Sequence, residues 1–501
     1  MQTPASTTRA TWPLVVLIVG ASYAAVAALP FFSESWTHRH VATGMAAWWD
    51  AFDLARTPLR PFQHLLFWAI TRGEGASPAV ARLPAFLLHA GSCLMLAELA
   101  RRLGASRRGV WLAALLFALA PNVKNLVWVA GIGQPGRVFF TLTGLVLLAD
   151  RRRAASLSRA AGVLMCFVAA AGFHQSAMVF PALALLMVWT GAAAGGSAEG
   201  TDARPARGLR AVLGDRAVLL TCAAGALFVL YVGWLREERY HGVRDLSSIA
   251  VHAVKATFWY LPEDLRLFAT DGFRGVWGLV GRLAGGTVLL VLGLGWLRAV
   301  LLGGALARFV AFGVALDMAL PVLSAGFHQR YAYLGTALLA CGIGCWAGRD
   351  DDGERRVSRM PAVLFALLLA FLWGRDQFVD TVEYRRAGAV VDTVLVQVGE
   401  ERARVGEGTS VTLVDLPDQW GREEDLPVFN WGFRFAAEEA GHAGPWVQVR
   451  TRAFITTTDF VQVGEEELRR RMAGEAGPVL LFDAELGELV QPTALGGGPP
   501  R

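Results

Sequence analysis

The sequence predicts an α-helical polytopic membrane protein of about 11 transmembrane helices, with a small C-terminal extracytoplasmic α/β domain. Three observations carry that expectation. Of the 501 residues, 54% are hydrophobic and 18% charged, where soluble domains carry about 25% charge. Apolar runs recur at lengths near the roughly 20 residues a helix needs to cross the hydrocarbon of a bilayer. Beyond position 374 the chain turns charged and mixed, with short apolar segments separated by turn residues.

The elements follow in order. Residues 12–32 carry no charge, run too long for a cleaved leader and lack its small-residue cleavage pattern, so a retained anchor is expected. A second crossing spans about 80–100 and ends in "RRLGASRR". The third and fourth bracket "GIGQPGR" at 131–137, and the fourth ends in "DRRR". The fifth and sixth bracket "AGFHQ" at 171–175 and lead into an Arg-bearing, Gly/Ala-rich loop. The seventh is about 217–235 and the eighth about 276–298. The ninth and tenth bracket a second "AGFHQ" at 325–329 and end in "GRDDDGERR", and the eleventh is about 361–373. All five cysteines lie inside apolar runs with no CxxC pair, which points to neither a disulfide framework nor a zinc site.

Short loops rich in Lys and Arg stay in the cytoplasm. That rule puts the N-terminus inside, and the tail and both AGFHQ junctions outside. The same face receives Glu34, Asp50, Asp53, Arg60, His64 and Arg137. Ionisable groups at membrane depth are costly and usually functional, although a single His or Arg at a helix end can simply reach the headgroups. Convergence of acids, arginines, histidines and tyrosines from separate loops favours a site. Residues 45–55 read as a helix lying in the interface, with Met45, Trp48, Trp49 and Phe52 on one side and Asp50 and Asp53 on the other. "FHQRYAYLG" puts His328, Arg330, Tyr331 and Tyr333 at the mouth of the tenth crossing, where Arg330 can grip a phosphate through its planar fork. The tyrosines are equally explained as an aromatic belt.

In chain order, "FFSESW", "RTPLRPFQHLLFW", "ARLPAFLLHAGSCLMLAELARRLG", "LLFALAPNVKNLVWVAGIGQPGRVFF", "FHQSAMVFPALALL" and "FHQRYAYLG" resemble the landmarks of GT-C glycosyltransferases. The likeness is to bacterial relatives of the protein O-mannosyltransferase and TMTC type, over roughly residues 10–375. The resemblance implies a GT-C-like transmembrane domain (1–374) that transfers a sugar from a polyprenyl-phosphate-type donor on the extracytoplasmic face of a bacterial inner (plasma) membrane. It implies Glu34 as general base on the acceptor hydroxyl. Arg330, with Arg60 or Arg137, would hold the donor phosphate and stabilise the departing charge. His64, His174, Gln175, His328 and Tyr331 fall at motif positions beside that site. The chain departs from the pattern in two places: Glu34-Ser35 offers one acid where the family often has two, and His174-Gln175 stands where it often has Lys-Glu. Asp50 or Asp53 either supplies the missing carboxylate or forms the wet face of the interfacial helix. No cofactor is demanded, with room left for a divalent metal. The expected partners are a lipid-linked sugar donor and membrane lipids, not nucleic acid; the acceptor is left open.

Beyond the last crossing, 375–490 is expected to form the α/β domain, and the Gly/Pro-rich 491–501 a disordered tail. "TSVTLVDLPDQW" reads as a strand and loop, with Asp415 and Asp418 as loop formers, and 430–441 as a helix closed by Gly441. Two other functions stay open. A lipid-linked glycan transporter or flippase would gain from burial of Glu98 or Asp317 at the membrane midplane. The lost acidic partner would suit a catalytically silent GT-C-like scaffold.

Overall fold

The computed structural model describes residues 5–32, 34–53, 60–71, 77–121, 123–127, 129–150, 156–192, 208–239, 249, 253, 256–257, 260–262, 278–324, 329–348, 360–417, 419–420, 426–429, 433–449, 460–461, 465–475, 477–484 and 486–491. Expectations for His328, Asp418 and the C-terminal tail lie outside these residues.

Helices stand where the crossings are expected: α1 (Ala5–Val26), α4 (Pro78–Arg102), α5 (Arg107–Leu119), α7 (Gly133–Ala149), α8 (Leu157–Phe173), α9 (Val179–Thr190), α11 (Arg216–Arg239), α12 (Gly278–Leu301), α13 (Ala305–Ser324), α14 (Tyr333–Ala347) and α15 (Met360–Val405). Between them lie α2 (Glu34–Thr43), α3 (Pro61–Thr71) and the short α6 (Val123–Val127) and α10 (Leu209–Leu213). The expected count of eleven crossings is not reached. Among the described residues, four helices are long and apolar enough to cross a membrane: α4, α13, α15 and the 216–234 part of α11. Five further apolar helical segments are shorter. For α5, α9 and α14 the reason is length: they have 13, 12 and 15 residues, below the roughly 20 a span requires.

The bundle is apolar outside as well as inside. Leu17, Leu87, Leu227, Leu230, Leu290 and Phe371 are all more than half exposed, a pattern suited to hydrocarbon surroundings and not to water. Side-chain caps set several helix starts, with Ser77, Ser106 and Ser156 each accepting a backbone N–H of the following turn. Close helix approach depends on glycine where α5 crosses α14. A Cβ on Gly348 would lie 2.2 Å from the Gly109 Cα, and one on Gly109 2.5 Å from the Gly344 carbonyl oxygen, so the two backbones touch. Elsewhere in the bundle Arg159 forks onto both carboxylate oxygens of Asp215 at 3.1 Å. Asp215 in turn caps α11 by accepting from the Ala217 and Val218 N–H groups, which locks the start of α8 to the start of α11.

The expected boundary at 374/375 falls inside α15, a single helix of 46 residues. At 1.5 Å per residue it is about 69 Å long, more than twice the hydrocarbon thickness, so it continues as a stalk. Its start exposes Leu364, Phe365, Leu368 and Phe371. Its end is closed by its own Arg402, which donates to the Gly406 and Thr409 carbonyls and stacks over Trp446.

The tail beyond it forms a five-stranded sheet in the order β5-β4-β1-β6-β7, from β1 (Val411–Val414), β4 (Trp446–Val449), β5 (Phe460–Val461), β6 (Val479–Asp483) and β7 (Glu488–Val490), with a two-stranded ribbon of β2 (Gln419–Trp420) and β3 (Leu426–Pro427). Helices α16 (Phe433–Glu439) and α17 (Glu465–Met472) connect the strands. Pairings are parallel except β6 with β7 and β2 with β3. The fully buried "VTLV" of β1 is what a central parallel strand requires. Gly441 closes the α16 segment at φ 82°. The β7 edge is met by Gln397 of α15, whose amide donates to the Leu489 carbonyl and accepts from its N–H, so the sheet is fixed to the stalk.

Candidate functional site

The site is assembled from the turns at one end of the bundle. Helix α8 stops at His174, whose extended backbone (φ −159°) makes it both the C-cap of α8 and the N-cap of the 3-10 turn Gln175–Met178. Its Nδ1 accepts from the Ser176 N–H at 3.1 Å and lies 2.7 Å from the Ser176 hydroxyl. Nε2, the other ring nitrogen, lies 3.3 Å from the Gln134 amide nitrogen. Gln175 accepts from the Arg60 Nε–H at 3.0 Å. Arg60 sits at φ 66° just before Pro61, the first residue of α3, a conformation rare for a non-glycine residue. The ring of Tyr331, two residues past the second AGFHQ, lies 6.1 Å from that of His174. The neighbourhoods of the two pentapeptides therefore meet in space.

An aromatic ladder holds these turns together: Phe52 on Phe62, Phe62 on Phe173, and Phe173 on Phe140, with centroids 5.8–6.0 Å apart. It passes through two glycines, since a Cβ on Gly172 would meet Phe62 at 2.5 Å and one on Gly136 would meet Phe173 at 2.4 Å.

Helix α2 lies against α3. His38 and His64 pack with centroids 5.3 Å apart, and His38 also meets Phe67. Burial pushes the His64 imidazole down to about 4, with the Arg60 guanidinium adding to the effect. His38 is pushed down to about 3 by burial, then by His64 and Arg60. Both rings are therefore neutral near pH 7. Glu34 is the first residue of α2, one helical turn before His38 and on the same face; its side chain and that of Arg330 lie outside the described residues. Asp50 and Asp53 belong not to an α-helix over 45–55 but to a five-residue 3-10 turn, Trp48–Phe52, and its C-cap. The Asp50 carboxylate is used locally, accepting from the Ala47 N–H at 3.1 Å, while Trp48, Trp49 and Phe52 stand exposed.

Arg137 is placed deeper than a ligand-gripping role suggests. Its side chain and that of Asp317 are each 1% exposed, and they pair at 2.8 Å. Asp317 also accepts from the Gly335 N–H at 2.8 Å, so the pair ties α7, α13 and α14 together. Glu98, the other acid weighed as a transporter signal, accepts from Arg101 and Arg102 at the end of α4.

Several contributors carry no local signal in the sequence. Arg82 is fully buried and donates to the carbonyls of Val127 at 2.8 Å and of Ala27, Leu29 and Pro30. It satisfies the open end of α1 and fixes the strand of chain leading to Glu34. Its only sequence signal is a charge inside an apolar run. Helix α2 is gripped from the far side by the tail: Arg39 pairs with Glu439, and His40 stacks on Phe435 at 4.2 Å. Burial lifts the Glu439 carboxyl, against the pull of Arg39. Among the described residues no group of three His, Cys, Asp or Glu side chains is arranged to hold a metal ion. The chain matches no protein-family model and no curated protein.

Proposed function

We propose that this chain is a membrane glycosyltransferase of the GT-C type, moving a sugar from a polyprenyl-phosphate-type donor to an acceptor hydroxyl at the extracytoplasmic face of a bacterial inner membrane. The observation that carries the reading is the meeting of Arg60, Gln175, His174 and Tyr331 beside the helix that begins at Glu34. In the proposed step, Glu34 takes the proton of the acceptor hydroxyl as its oxygen bonds to the anomeric carbon. The bond from that carbon to the donor phosphate oxygen breaks, and the polyprenyl phosphate leaves with the electron pair. Arg60 and Arg330 offset the charge gathering on the leaving phosphate. His174, held by Ser176, offers a ring nitrogen for hydrogen bonding, and Tyr331 an aromatic face to the sugar. Arg137 acts as a structural tie in this reading because Asp317 already neutralises it.

The test is Glu34→Gln, with transfer assayed on purified chain and polyprenyl-phosphate sugars. Transfer is expected to vanish while membrane insertion stays normal. Undiminished transfer by that variant would remove Glu34 from the mechanism.

A lipid-glycan transporter is the second reading, favoured by the burial of Asp317 within α13. It requires the Arg137–Asp317 pair to open during a cycle. It would be adopted if Asp317→Asn abolished movement of lipid-linked glycan across vesicles while Glu34→Gln did not.

A further inference from the structure

At the end of the bundle away from the candidate site, α12, α13 and α14 enclose an apolar groove of about 420 Å³, within the range of small-molecule sites. Its walls include Trp296, Ala307, Ala311, Gly342, Ile343 and Trp346, and none of its lining residues is charged. The small residues make the room. The Trp296 indole is fixed by donating to the Ala311 carbonyl at 3.1 Å, so this wall is preformed. Along α13 the lining runs from Leu306 to Val314, ending about one helical turn before Asp317 of the Arg137–Asp317 tie.

The α12–α13 turn at the mouth of the groove carries two exposed guanidiniums, Arg298 in the last turn of α12 and Arg308 in the first turns of α13. Arg308 folds back to donate to the Leu301 carbonyl at 3.2 Å, which holds its charge over the turn. Basic groups flanking an apolar cleft at a membrane surface match an anionic headgroup above acyl chains. A second copy of this chain fits less well. A two-fold contact through the groove would bring the Arg298 and Arg308 pairs of both copies together without an acid among the described lining residues.

We propose that this groove binds an anionic diacyl phospholipid of the host membrane, its chains against Trp296 and Trp346 and its phosphate between Arg298 and Arg308. The site is independent of sugar transfer and rests only on the chain being membrane-embedded.

The test uses the full chain reconstituted in nanodiscs of equal phosphatidylglycerol and phosphatidylcholine, then returned to detergent and washed, with retained lipid counted by native mass spectrometry. Wild type is expected to keep phosphatidylglycerol in preference. Retention should fall roughly five-fold for each guanidinium removed in Arg298→Gln and Arg308→Gln; both positions are exposed, so folding is not at stake. Ala307→Phe, which fills the groove, should lose the lipid with both arginines in place, and elution volume reports its fold. Equal retention of the two lipids by wild type would overturn the proposal. So would undiminished phosphatidylglycerol in the double arginine variant, or a dimer that Ala307→Phe turns into monomer.

Discussion

Replacing Arg137 by Met is the sharpest test of how the bundle is tied. The pair it breaks is sealed from solvent, with both side chains 1% exposed and 2.8 Å apart. Loss of the guanidinium leaves the Asp317 carboxylate with the Gly335 N–H as its remaining hydrogen bond among the described contacts. Removing one partner of a buried pair typically destabilises by about 3–5 kcal/mol, mostly through the charge left behind. Asp317→Asn added to Arg137→Met removes that charge and keeps an acceptor for Gly335. The double variant should therefore recover about 2 kcal/mol or more of the loss, a coupling of the size seen for contacting groups. Equilibrium unfolding in mixed micelles measures all three variants against wild type. The reasoning fails if Arg137→Met stays within about 1 kcal/mol of wild type, the range of a surface pair, or if the double variant is no more stable than the single one. Full stability in Arg137→Met with loss of sugar transfer would return Arg137 to the role of phosphate ligand.

Three further outcomes are expected. Gly348→Ala forces a methyl against the Gly109 backbone and should destabilise by about 1–3 kcal/mol; an unchanged melting temperature would mean that α5 and α14 are not in backbone contact. Arg82→Lys supplies one ammonium where a planar fork serves four carbonyls. It should destabilise by about 2–3 kcal/mol and raise protease cleavage near 27–33, and a wild-type digestion pattern would contradict that account. Burial holds His38 and His64 at about 3 and 4 in the folded protein, below the ordinary imidazole value of 6.5. Their contribution is thus intact above pH 6.5 and is lost as pH falls through 6.5 towards those folded values, because the unfolded chain takes up the protons first. His64→Gln should flatten that part of the stability–pH profile; an identical slope in the variant would show that other groups cause it.

The parts of the architecture that were legible are those with a local cause. The uncharged first run and the glycine after α16 each act within a few residues, so composition and spacing reveal them. The span count was less legible: the break at 171–175 was expected, but hydropathy does not show that the helix after it, α9, has only 12 residues. The 374/375 boundary was drawn from a change in composition. Helix propensity does not stop there: α15 passes from apolar to charged surroundings without a break in its hydrogen bonding. At the candidate site, Arg60, His174, Gln175 and Tyr331 were named from motif and sidedness. Gln134, His38 and Arg82 were not, since a lone polar residue in an apolar run does not say what it faces.

By itself the chain of 501 residues determines its solvent class, its helical content and the kinds of side chain present near the turns, because these follow from transfer free energies and short-range periodicity. Partnership was settled only in the folded molecule. Arg137 finds Asp317 across 180 positions, Arg60 finds Gln175 across 115, and Arg39 on α2 meets Glu439 in the tail. Such contacts depend on how helices cross and how deeply each charge is buried, and neither property is encoded within a window of neighbouring residues.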